Sequence, residues 1–69
     1  MALVELGRFN YFEAQLLVSR LEAEGIMAFS FDSGASIADG SRFLIPTRVM
    51  VDEEDLPAAE AIRDLPPAD

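Results

Sequence analysis

An α+β domain of element order β-α-β-β-α is predicted by three observations. Residues 10–26 carry a helix start, a buried stripe and a helix stop in one stretch. Short apolar or alternating runs of strand length flank that helix. An acidic run near residue 52 leads into a second periodic segment that stops at two prolines.

The first helix is the best-specified element. Asn10 and Glu13 have the spacing of a capping box, in which the Asn side chain accepts from the Glu13 backbone N–H and the Glu13 carboxylate reaches back to the Asn10 N–H. The helix then runs over about 11–24. Ala14, Leu17, Val18 and Leu21 fall on one stripe, with Glu13, Gln15, Arg20, Glu22 and Glu24 mostly off it. Gly25 is placed to take the left-handed conformation after the helix, so that Ile26 folds back on Leu21 and points toward the helix layer. Phe12, Leu16 and Ala23 form a weaker apolar line on the far side, as scattered exposed apolar residues commonly do.

Residues 2–7 alternate Ala2, Val4 and Leu6 against Leu3 and Glu5 and read as the first strand. The second, 26–31, is apolar at both parities, so periodicity cannot orient it. The helix stop can: if Ile26 faces inward, so do Ala28 and Ser30, and Met27, Phe29 and Phe31 face outward. Residues 32–46 form a connection rich in Gly, Ser and Asp, and Pro46 delays the third strand to 47–51. There Thr47, Val49 and Val51 alternate with Arg48 and Met50, placing the β-branched set under the helices. The second helix covers about 53–65, with Pro57 in its first turn, a cap as late as Asp55, and a stripe of Leu56, Ala59, Ile62 and Leu65.

Assembled with a right-handed crossover, these elements give one domain over 1–69: a ferredoxin-like unit with a three-stranded sheet, both helices on one face and the fourth strand missing. The first and third strands are expected to be parallel neighbours, and the first strand to present an open edge.

Bulk composition narrows the function. A 69-residue chain is one domain. At this size about 60% of the unfolded surface is buried, so an oligomer, most simply a dimer, is expected. With no Cys and no His, the common zinc ligands and the usual general base are absent. The net charge of −8, with five Arg and no Lys, opposes phosphate binding, so no nucleic-acid partner is expected. No apolar run approaches the about 18 residues of a membrane span, and no signal peptide is visible, which makes cytoplasmic localisation the expectation.

Two stretches, FEAQLLVSRLEAEGI at Phe12 to Ile26 and RVMVDEEDLPAAEAI at Arg48 to Ile62, resemble DUF2007, a small bacterial family of signal-transducing proteins. In that family a helix ends in Leu-Glu-x-x-Gly-Ile and a strand runs into an acidic cap and a short helix. The resemblance covers nearly the whole chain through structural motifs. It implies a fold similar to the nitrogen-regulatory PII proteins and a regulatory role by analogy. The chain departs from the full PII pattern in lacking a final strand, a Lys for nucleotide phosphates and a long effector loop.

The outward sheet face is the main candidate site. Leu3, Met27, Phe29, Phe31 and Met50, with Glu5 and Arg48 among them, would expose several hundred Å² on adjacent strands, at or above the largest patch a soluble monomer shows. The plainer alternative places the two Phe rings in the core. A second candidate is the loop, where backbone N–H groups at Gly34 and Gly40, beside Asp39 and with Arg42 as counter-charge, could hold an anion or small effector. An enzyme is not expected. Asp52, Glu53, Glu54 and Asp55 read as a solvated helix start, and Ser30, Ser33 and Ser36 have no His to activate them. No cofactor is called for. The expected function is a non-catalytic regulatory or interaction module that self-associates through the sheet face or first-strand edge. The alternative is a small-molecule sensor with its ligand at the sheet face, the loop or a subunit junction.

Overall fold

In the computed structural model, described over residues 2–32 and 46–65, the order is β1 (Leu3–Phe9), α1 (Tyr11–Ala23), β2 (Ala28–Asp32), β3 (Thr47–Asp52), a 3₁₀ turn (Glu53–Asp55) and α2 (Leu56–Arg63). The loop residues Gly34, Asp39, Gly40 and Arg42 lie outside the described residues.

Both ends of α1 form as the sequence dictates. Asn10 Oδ1 accepts from the Glu13 N–H at 2.8 Å, and the Asn10 N–H donates to Glu13 Oε1 at 3.4 Å, closing the capping box. At the other end Gly25, at φ +82°, donates its N–H to the Glu22 carbonyl at 3.0 Å, and the Ile26 N–H reaches the Leu21 carbonyl at 2.9 Å. These two bonds are the Schellman pair. Because Ile26 spends its N–H on the helix, β2 begins at Ala28 rather than at Ile26.

The sheet has the order β1-β3-β2, and β3 is antiparallel to both neighbours. The expected parallel pairing of the first and third strands is therefore incorrect. The crossover through α1 brings β2 back in the direction of β1, and the reversal after β2 sends β3 the opposite way between them. Parity is as expected: Thr47, Val49 and Val51 are buried under the helices, as are Ile26 and Ala28. Ser30 pairs with Val49 but stays exposed.

Strand β1 is longer than the alternation suggests, because a bulge resets its phase. Glu5 pairs with Met50 and Gly7 with Val49, so Leu6 is the extra residue with no cross-strand partner. Before the bulge Val4 faces inward; after it Gly7 and Phe9 do, opposite Val49 and Thr47. The core joins Leu6, Ala14, Leu17, Leu21, Ile26, Ala28, Val49, Val51 and Ala59, with Val4, Phe9, Val18, Leu56 and Ile62 packed around it.

The second helix is split. Asp52 caps a 3₁₀ turn, its Oδ1 accepting from the Glu54 N–H at 3.0 Å, and α2 starts only at Leu56. A helix begun at Glu53 would lose the bond that Pro57 cannot donate; restarting at Leu56 puts Pro57 at the second position, where no donor is needed. Leu65 is not part of the stripe, since α2 ends at Arg63 and Leu65 is 57% exposed.

Candidate interface: the outer face of the sheet

The cross-strand register sorts the outer face into three rows. One row sets Leu3 beside Asp52. Met27, just ahead of the Ala28–Val51 pair, extends it. The middle row runs Glu5, Met50, Phe29, and the third runs Arg8, Arg48, Phe31. Of the candidate residues, Leu3, Met27, Phe31 and Arg48 are exposed, while Phe29 and Met50, flanked on both sides, are half-buried. All six lie on the face away from the helices, and no element of the described chain covers them.

Sequence reasoning left two charged residues off this face, Asp52, read there as a helix start, and Arg8. In a regular strand residues three apart point to opposite sides. The extra residue at Leu6 brings Glu5 and Arg8 to the same side, where Arg8 Nε lies 3.3 Å from Glu5 Oε1. The signal was Gly7, since a glycine inside a strand pattern marks a bulge. The consequence is a pair of guanidinium groups directly opposite each other, Arg8 and Arg48, an arrangement that destabilises a bare sheet. Glu5 offsets one of them. No carboxylate among the described residues pairs with Arg48.

The rows therefore carry a charge gradient along the strands. Asp52 stands at one end, the apolar Met50–Phe29 pair in the middle, and two Arg at the other. The acidic run at Asp52 to Asp55 serves locally as a cap and 3₁₀ turn.

The first-strand edge is less open than expected. Arg63, in the last turn of α2, donates from Nη1 to the Leu6 carbonyl at 3.1 Å, at the residue the bulge leaves without a partner. Its Nε and Nη2 engage the Asp64 carboxylate at 2.9 Å and 3.2 Å. Those bonds hold the Asp64 carboxyl below, and the Arg63 guanidinium above, its ordinary value. A bulge and a charged side chain are two ways in which natural sheets blunt an edge.

On the helix side a shallow groove of about 210 Å³ lies between Phe9, Leu16, Leu17 and Leu65, with Glu13 and the two cations Arg20 and Arg63 also lining it. Arg20 Nη2 there donates to the carbonyls of Ile62 and Leu65 at 3.0 Å and 3.4 Å, closing the end of α2. A second open hollow, about 340 Å³, touches Met27 and Phe29 but not Met50. Among the described residues no group of His, Cys, Asp or Glu is arranged to hold a metal, and no helix is long and apolar enough to cross a membrane.

Layering and surface together define a small α+β domain, two helices on one side of a three-stranded antiparallel sheet, whose other side is amphipathic. The chain belongs to the DUF2007 family: the family model, described as "Putative prokaryotic signal transducing protein", matches residues 3–63. No curated protein and no solved structure matches it.

Proposed function

We propose that this protein is a non-catalytic regulatory module that acts by associating with a second copy of itself through the outer face of its sheet. The observation that carries the reading is the middle of that face. Phe29 and Met50 form an apolar centre, with Phe31, Met27 and Leu3 exposed around it and nothing of the described chain over them. A chain of this size gains from covering such a face, because its own core buries a smaller share of its surface than a larger domain's does. The family description, signal transduction, fits a module whose output is its state of association.

Between the two routes to self-association, the sheet face is favoured over the β1 edge. Strand addition needs a regular row of free backbone groups, and Arg63 and the bulge at Leu6 interrupt that row. The face is small: three strands of about six residues span roughly 14 Å by 20 Å. Association through it alone falls in the weak, transient class.

Sedimentation velocity over a wide concentration range tests the reading. The wild type should shift from monomer to dimer as concentration rises. Phe31→Ser and Met27→Ser, both at exposed positions, should keep the circular dichroism of the wild type and stay monomeric. A wild type that remains monomeric up to its solubility limit removes the proposal.

A further inference from the structure

The charge gradient on the outer face selects one way for two copies to meet. We infer that the second copy docks with its strands antiparallel to those of the first, about a two-fold axis lying along the Met50–Phe29 row. This rests on the self-association reading above and fixes its geometry.

Two sheets that pack face to face keep their strands within about 30° of alignment, roughly 10 Å apart. A two-fold axis in the plane between them can then run along the strands or across them. An axis along β3 lays each copy's Arg48 over the partner's Arg48 and Asp52 over the partner's Asp52. Like charges then meet at both ends of the face, which opposes association. An axis across the strands, along the middle row, exchanges the two outer rows instead. Arg48 then faces the partner's Asp52, Phe31 faces the partner's Met27, and Met50 and Phe29 sit near their own copies.

Three features of the surface fit this arrangement. Arg48 has no carboxylate partner within its own described chain, so its charge is available. Asp52 uses Oδ1 for the Glu54 N–H, which leaves Oδ2 for a guanidinium. Glu5, the one charge in the middle row, is held by Arg8 at 3.3 Å and is neutralised inside each copy. An isologous interface requires a patch complementary to itself, and a gradient from acidic through apolar to basic satisfies that under only one of the two axes.

The chain has no Cys, so single cysteines report position without background. Met27→Cys, Phe31→Cys, Arg48→Cys and Met50→Cys would each be treated with a short bis-maleimide, whose reach matches the about 10 Å between packed sheets. Circular dichroism would first establish that each variant folds. The expected result is that Met50→Cys links to itself. A mixture of Met27→Cys with Phe31→Cys should link several-fold more than either alone, and Arg48→Cys should link little to itself. Efficient Arg48→Cys self-linking, with no gain in the mixture, overturns the orientation while leaving self-association intact. Absence of any linking, with wild-type protein monomeric by sedimentation, removes both together. Arg48→Glu provides a second readout: dimerisation should weaken markedly, and added salt should weaken the wild type and not this variant.

Discussion

The ring of Phe9 lies across the backbone of Gly7, so closely that a Cβ on Gly7 would stand 2.7 Å from Phe9 Cζ and 3.0 Å from Cε2. The glycine is therefore a matter of space rather than of backbone angle. Phe9 closes the core at the end of β1, two residues beyond a bulge that turns it inward, and its ring shields the strand where Gly7 has no side chain to offer. Gly7→Ala should displace the ring and cost about 1–3 kcal/mol, as overpacking does. The same change in a Phe9→Ala background should cost much less, because the clash is gone. A urea-denaturation double-mutant cycle reads the difference, and additive costs would show that the two residues do not act on each other.

Arg63 connects three things: the last turn of α2, the Leu6 carbonyl at 3.1 Å and the Asp64 carboxylate at 2.9 Å. Lysine carries the charge but not the planar fork that makes these bonds together, so Arg63→Lys should destabilise almost as much as Arg63→Met. Hydrogen exchange at the β1 amides should rise in both. The acid limb follows from Asp64, whose carboxyl is lowered chiefly by its hydrogen bond from Arg63. A lowered carboxyl contributes stability above its unfolded value and loses it as pH falls through the folded one. The Asp64 carboxylate is exposed and Arg63 only half-buried, so Asp64→Asn should flatten the acid limb only slightly.

What was legible in the sequence was what local chemistry decides. Asn10 and Glu13 are three residues apart, and Gly25 and Ile26 are adjacent, so cap and stop could be written down without any knowledge of the sheet. The outward aim of Phe29 and Phe31 followed from that stop, because parity carries along a strand from one fixed residue. Leu6, Gly7 and Arg8 were different. Whether a bulge interrupts β1 depends on its register with β3, more than 40 residues away, and alternation inside β1 holds only up to the bulge. The direction of β3 is a different case and needs no register: a crossover leaves β2 parallel to β1 and a reversal leaves β3 antiparallel to both, so the expected parallel pairing of the first and third strands contradicts the order of elements itself. The candidate loop lies outside the described residues, and the outer face was incomplete by two residues: Arg8, which the bulge delivers, and Asp52, which reads in the sequence as a helix start.

Gly25 separates backbone strain from packing more cleanly than any other position. Its φ is +82°, and nothing lies within 4 Å of where a Cβ would be. Gly25→Ala therefore meets no clash and pays only for the left-handed conformation, about 1 kcal/mol. For a domain near this size that lowers Tm by roughly 4–8 °C. Asn tolerates the left-handed region better, so Gly25→Asn should lie between wild type and Ala. Thermal melts of the three proteins give the order directly. Equal melting points for Ala and Asn would mean that the αL preference is not what limits this helix stop.

The two leucines Leu21 and Leu16 share a helix and differ in what the sheet does with them. Leu21 is fully buried against the β-branched residues of β3, and its carbonyl anchors both the Glu24 and the Ile26 N–H groups. Leu16 is 54% exposed on the line that the sequence places away from the core. Leu21→Ala should leave a cavity in the core that the described residues form and cost about 2–5 kcal/mol, a large part of what a domain this small possesses. Leu16→Ala should stay within about 0.5 kcal/mol and, by the higher helix propensity of Ala, could even gain a little. Chemical denaturation of both variants checks the contrast at the level of the monomer. Sedimentation adds a second comparison, because Leu16 lies on the helix layer and not on the outer sheet face. Leu16→Ala should therefore leave dimerisation unchanged, whereas a loss of association in that variant would move the interface from the sheet to the helices.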